Sequence, residues 1–294
     1  MSSNSGAGGF GPNPWQQTSW DWRAAGNFIG GGAGSGLLIT SAVFGASNPG
    51  GAAALPWLLL FGLALVGLGL LCVWLEIGRP LRALHVFFNP RTSWMSREGL
   101  VALLLFPSGL LAMLGLVGGW LWVMAGLAVA FLYCQSRMLP AARGIPAWRP
   151  RQVIALVFVT GLTEGCGVYL LLGLWHKQVG GAVMLLAALL VLLRLVVWML
   201  YRRNVDASLA PRASVALNVA GRRLLIVGSI LPVLVLALGA GFTSGAIQLM
   251  LAAFAGACAA FAGVAMKYTL VTRASFNQGF ALTKIPVRGA RSPH

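Results

Sequence analysis

Residues 55–75 read LPWLLLFGLALVGLGLLCVWL, an apolar run without a single charge. A helix rises 1.5 Å per residue, so about 20 apolar residues cross the roughly 30 Å hydrocarbon core of a bilayer. Working outward from this run, seven more stretches qualify, near 24–46, 98–117, 119–139, 152–174, 180–201, 223–242 and 246–270. The third and fourth meet at Gly118–Gly119 with almost no loop. The alternative there is one 40-residue helix, about twice the length a bilayer accommodates. The expected fold is all-α: a polytopic bundle of eight transmembrane helices over 24–272, with both termini on the same side. Residues 1–23 form an extramembrane extension and 273–294 an extramembrane tail.

Composition agrees. Of 294 residues 58% are hydrophobic and 9% charged, and mean hydropathy is +0.83; a soluble domain carries roughly 25% charged residues. The net charge of +16 does not read as nucleic-acid binding, because the basic residues are spread over short loops and build no basic helix or stripe. Cys72, Cys134, Cys166 and Cys258 lie in apolar runs without CxxC or metal spacing, the usual setting of small core residues. The chain is therefore expected to hold no metal and no iron–sulfur cluster of its own. Its first residues lack the basic-then-apolar pattern of a signal peptide.

The loops alternate in charge. One set is nearly neutral: 47–54, the Gly118–Gly119 turn, 175–179 with only Lys177, and 243–245. The other set holds every remaining basic residue except Arg194. Arg23, Arg79, Arg82, Arg91 and Arg97 come first, then Arg137, Arg143, Arg149 and Arg151. Arg202, Arg203, Arg212, Arg222 and Arg223 follow, and Lys267 begins a basic tail. The positive-inside rule puts this face and both termini in the cytoplasm. Helix one carries Gly30, Gly31, Gly32, Gly34 and Gly36. Such small residues let helices approach closely in lipid, so a packing face is expected; the second reading is a smooth surface for a quinone tail.

Five residues are acidic. Asp21 and Asp206 lie in aqueous segments, Glu76 and Glu98 bracket the first basic loop, and Glu164 falls near the middle of helix five. An intramembrane carboxylate is costly and marks a functional candidate. Glu164 lies roughly 18 Å from the basic end of its helix, and Arg194 on helix six lies roughly 11 Å from the same end. A Glu164–Arg194 pair, or a shared polar network, is expected, either as a structural ion pair or as a step in a proton path. The histidines are His85, His176 and His294; their positions cannot pair across a haem, which usually takes axial His ligands inside the bundle.

The densest polar cluster runs from Glu76 to Glu98, with Arg79, Arg82, His85, Arg91, Trp94 and Arg97 between. Carboxylate, guanidinium and imidazole together can hydrogen-bond a polar ring and exchange protons with it. The plainer reading is a basic loop anchored at the headgroups by Trp94 and snorkelling arginines.

Within that loop, Gly78-x-Pro80-x-Arg82-Ala83 and Ser93-Trp94-x-Ser96-Arg97-Glu98 resemble the dimethyl sulfoxide reductase membrane-anchor family (DmsC type, related to NrfD and polysulfide reductase anchors). Trp22, Tyr133, Ile145-Pro146-x-Trp148 and Thr163-Glu164-Gly165 extend the resemblance over nearly the whole chain. It implies a haem-free subunit of a bacterial inner-membrane oxidoreductase. Such a subunit docks a four-cluster iron–sulfur subunit beside a molybdopterin catalytic subunit and exchanges electrons with ubiquinone or menaquinone. Glu76, His85 and Glu98 are then the proton-handling candidates, and Asn27, Arg79, Arg82 and Tyr133 the quinone contacts. Arg91, Trp94, Arg97 and Arg137 face the partner, and Glu164 with Arg194 forms a proton path. One departure stands out: this type tends to have His where Glu76 stands. The segments Phe10-Gly11-Pro12-Asn13-Pro14-Trp15-Gln16-Gln17 and Asp21-Trp22-Arg23 look like those of anchors attached to phenylacetyl-CoA:acceptor oxidoreductases. A competing class is a transporter or channel built around Glu164 and Arg194, although the two halves show no convincing repeat and the polar residues concentrate at one face. A purely structural anchor is the third reading.

Overall fold

The computed structural model describes residues 14–45, 53–76, 80–115, 119–177, 179–242 and 244–279, with backbone only at 80–83 and 242. Among these residues, eight helices are long and apolar enough to cross a membrane: α1 Trp22–Gly45, α2 Leu55–Glu76, α3 Trp94–Met113, α4 Gly119–Ala141, α5 Gln152–His176, α6 Gly181–Ser208, α7 Pro211–Gly241 and α8 Gly245–Arg273. The chain is an all-α, multi-pass membrane protein. A 3₁₀ segment, Pro80–Phe88, lies between α2 and α3.

Separate helices α3 and α4 replace the single long helix that the Gly118–Gly119 junction left open; residues 116–118 lie outside the described part. The largest difference from the sequence reading is α7. The basic stretch 202–223 is mostly helix, because α6 continues to Ser208 and α7 starts at Pro211. Pro suits the first helical position, where its missing N–H has no partner to lose. From there Ala213, Leu217, Ala220 and Leu224 form a buried stripe at helical spacing, leaving Arg212, Arg222 and Arg223 outside.

Helix α1 is the centre of the bundle, packed against α2, α4 and α5, while α5 also meets α6 and α8. Its glycines set those distances. A Cβ on Gly34 would stand 2.6 Å from the Gly62 carbonyl oxygen of α2, and one on Gly30 2.7 Å from that of Leu65. On the other side a Cβ on Gly165 of α5 would collide with the Gly36 backbone. The glycine row is a packing face on both sides.

The extension and the tail meet outside the bundle. Gln17 N donates to Ser275 O at 3.0 Å, and Asn277 N to Trp15 O at 3.0 Å, so the two ends of the described chain lie on one side. Asp21 caps α1, accepting from Arg23 N at 2.7 Å, and pairs with the Arg23 guanidinium at 2.9 Å. That guanidinium holds the half-buried Asp21 carboxyl below its ordinary range.

Gly165→Ala should lower stability by about 1–3 kcal/mol, the usual cost of overpacking. Gly126, whose Cβ would meet nothing within 4 Å, is the control: Gly126→Ala should be neutral or stabilise by up to about 1 kcal/mol. Thermal unfolding in detergent reads both, and equal melting points would contradict the close α1–α5 approach.

Candidate functional site

Ser93 starts α3 by accepting from Ser96 N at 3.3 Å. That start places Glu98 a full turn inside the helix, on the same buried face as Ala102 and Leu105. Glu98 is 2% exposed. Two amides hold its Oε1: Asn27 Nδ2 of α1 donates at 3.3 Å and Gln135 Nε2 of α4 donates at 3.3 Å. Gln135 Nε2 also donates to Asn27 O at 2.8 Å. The Gln135 amide occupies the place a side chain on Gly31 would take. No cation pairs with Glu98 among the described residues, and Asn27 Oδ1 is buried without a hydrogen-bond partner among them.

Glu98 forms the polar end of an apolar cavity of about 540 Å³ between α2, α3 and the 3₁₀ segment, lined by Leu70, Val86, Phe87, Ala102 and Phe106 among others. Its rim residues Trp74, Leu84 and Leu103 are exposed on the outer surface of the bundle. A second cavity of about 200 Å³ shares the walls Val73 and Met95 with the first and reaches Asn27 and Glu76. Glu76, half-buried at the end of α2, is thus separated from Glu98 by a small cavity and the Asn27 side chain.

The other sequence candidates divide. His85 is exposed, with its ring edge-on to Phe88 at 5.6 Å, and lines neither cavity. Tyr133, 44% exposed, also lines neither; its ring meets Trp94 edge-on at 5.8 Å. The Arg97 guanidinium lies 4.1 Å from the Trp94 ring centroid and donates to Pro90 O at 2.8 Å and Arg91 O at 2.9 Å. It braces the loop before α3, and Arg91 takes part through its backbone. Arg137 covers Trp94 at 4.8 Å. Arg79 lies outside the described residues, as does the side chain of Arg82.

A second polar group lies deeper. Glu164 Oε2 pairs at 2.6 Å with Lys267 of α8, not with Arg194; their side chains are 0% and 1% exposed. Lys267 Nζ also donates to Phe28 O at 2.7 Å. Its ammonium fills the space beside Gly32, where the Gln135 Oε1 atom also approaches. Arg194 donates instead to Gly228 O at 2.6 Å and Ala259 O at 2.8 Å. The physical reason lies four residues past Gly228: Pro232 has no N–H to offer that carbonyl. In lipid a carbonyl freed by proline needs another donor, and Arg194 supplies it. Arg194 lies near enough to act on Glu164 electrostatically, but the two have no hydrogen-bond partner in common among the described residues.

Sequence reasoning missed Gln135 and Lys267. Gln135 is a neutral amide in an apolar run and carries no signal of its own. Its charge groups Lys267 with the basic tail, yet the apolar pattern continues past it through Leu270 and Val271, and that continuation marks it as intramembrane.

Lys267→Met should destabilise the fold by about 3–5 kcal/mol, because it strands a buried charge. The double variant Glu164→Leu/Lys267→Leu should recover most of the loss. Melting of the parent, Glu164→Leu, Lys267→Leu and the double variant in detergent completes the cycle, and additive losses would dissolve the pair. Comparison with protein-family models finds no match, and comparison with curated proteins finds none either.

Proposed function

We propose that the chain is the haem-free, quinone-reactive membrane subunit of an oxidoreductase of the dimethyl sulfoxide reductase anchor kind. It exchanges electrons between an iron–sulfur partner and ubiquinone or menaquinone, with clusters and molybdenum cofactor held by the partner subunits. One observation carries this reading: an apolar cavity of about 540 Å³ that opens on the bundle's outer surface and ends on Glu98, a carboxyl held by two amides. The volume lies within the roughly 300–1,000 Å³ usual for ligand sites with mostly apolar walls and few polar groups. A quinone bound there supplies a two-electron, two-proton carrier.

The chain's own residues do the rest. Leu70, Val86 and Phe106 receive the apolar ring face and tail. Glu98 hydrogen-bonds a ring oxygen and passes a proton to or from it, while Asn27 and Gln135 fix the carboxyl in place. Glu76 and the smaller cavity lead protons between Asn27 and the basic face. Helix polarity and the positive-inside rule then make that face cytoplasmic in a bacterial inner membrane. A second reading, a transporter, draws on the buried Glu164–Lys267 pair, since intramembrane ion pairs often mark substrate or proton pathways.

In the complex purified with its iron–sulfur subunit, Glu98→Gln should cut quinone turnover about 10²–10⁴-fold, as expected for loss of a proton-transfer group, with its melting point kept. Tyr133→Phe should leave turnover unchanged. Unaltered turnover and inhibitor binding in both Glu98→Gln and Glu76→Gln would sink the site. A chain that purifies alone in mild detergent, and moves a solute in vesicles, would favour the transporter.

A further inference from the structure

At the ends of α3, α4 and α5 on the basic side lies a cleft of about 1070 Å³, lined by Trp94, Arg137, Arg143, Arg149, Arg151 and Ile154 among others. Four guanidiniums around one open cleft repel one another, and the chain has no acidic side chain left to neutralise them. All five acids are placed elsewhere. Asp21 pairs with Arg23, Asp206 with Arg202 and Glu164 with Lys267. Glu98 is held by amides, and Glu76 lines the small cavity beside Asn27. Arg149 donates to Arg143 O and to Gln278 Oε1, both neutral groups. Arg143 and Arg151 are exposed and enter no ion pair among the described residues.

We infer that this cleft is a binding site for an anionic membrane phospholipid, best matched by a headgroup with two phosphates. Two observations favour a lipid over an acidic protein surface. First, the arginines crown outward apolar helix faces. On α4, Val129 and Tyr133 are 41% and 44% exposed and precede Arg137 at four-residue spacing, hence on one face. On α5, Ile154 and Phe158 are partly exposed and follow Arg151 toward the membrane interior. A headgroup in the cleft would thus lay its acyl chains along these two faces. Second, the Trp94 ring carries Arg97 and Arg137 over it and touches Tyr133, an aromatic anchor of the kind that sits at headgroup level. Arginine suits the role because its planar fork binds phosphate through two N–H groups. Basic clefts between transmembrane helices recognise such lipids. The site is independent of the quinone reading, since it shares no wall with the first cavity.

The test uses the delipidated full chain in neutral detergent, with native mass spectrometry for bound lipid and thermal unfolding for its effect. Cardiolipin, phosphatidylglycerol, phosphatidylcholine and inorganic pyrophosphate are added separately. Cardiolipin should bind tightest and raise the melting point, phosphatidylcholine should do neither, and Arg143→Gln/Arg151→Gln should weaken cardiolipin about 30-fold, roughly fivefold per arginine near a membrane surface. These two side chains make no hydrogen bond or ion pair among the described residues, so the variant's melting point without lipid should match the parent's. Arg203→Gln/Arg223→Gln removes equal charge elsewhere on the same face and should change little. Equal loss in that control overturns the site as unspecific. Pyrophosphate acting as well as cardiolipin overturns the lipid assignment. Unchanged lipid binding in Arg143→Gln/Arg151→Gln, with loss of the iron–sulfur partner instead, gives the surface to a protein.

Discussion

Backbone contact between α1 and its neighbours governs where the two buried carboxyls, Glu98 and Glu164, find their partners. Gly30 and Gly34 bring α2 against one side of α1, and Gly36 brings α5 against the other. Between these contacts, Gly31 and Gly32 leave two gaps, and long polar side chains from outside helices fill them: Gln135 from α4 and Lys267 from α8. Lipid offers no hydrogen bonds, so a polar side chain crossing a membrane bundle must end on another polar group. Gln135 ends on Glu98 and the Asn27 carbonyl. Lys267 ends on Glu164 and the Phe28 carbonyl. A side chain on either glycine would evict one of them, and with it the partner of a buried carboxyl.

Two polar layers result, with different consequences. The shallow layer, Asn27–Glu98–Gln135, contains no cation and borders a cavity open to the outer surface. The deep layer, Glu164–Lys267, is internally neutral and closed, with Arg194 nearby serving the carbonyl that Pro232 leaves without a donor. The Glu164–Lys267 pair carries its own counter-charge, although Glu164 Oε1 has no hydrogen-bond partner among the described residues. A buried ion pair is commonly a packing device, whereas a buried carboxyl beside a cavity and without a counter-charge is poorly explained by packing. That contrast is why the proposed chemistry is assigned to Glu98 and not to Glu164.

Hydropathy made the eight spans legible in the sequence, since twenty apolar residues in a row permit little else. The pairing of charges was not legible, because depth along a helix says nothing about which face a residue occupies or where its neighbours are. Glu164 and Arg194 stood about 7 Å apart in depth, a gap an arginine side chain can bridge, yet the partner ammonium came from Lys267, 103 residues along the chain. The start of α7 was hidden for a related reason. Its first turns are polar on one face and apolar on the other, and averaging over the window erases the stripe of Ala213, Leu217 and Leu224. Burial of Glu98 was not legible: the apolar run starts the third span at residue 98 and so puts Glu98 at the membrane edge, whereas Ser93 caps a helix that begins at Trp94 and leaves Glu98 one turn within.

Charge arithmetic joins these layers to the surface. A chain with five acids and twenty-one lysines and arginines must leave most of its cations unpaired, and this fold then commits two of the five carboxyls, Glu98 and Glu164, to the interior. Asp21 and Asp206 each serve a single neighbouring arginine. The rim around Arg137, Arg143 and Arg151 is therefore basic by subtraction as well as by composition. Positive-inside topology accounts for which side such a rim lies on, but it does not require four guanidiniums to converge on one cleft. Convergence needs an anion, and at the height of Trp94 and Tyr133 the anion always at hand is the phosphate of the bilayer itself.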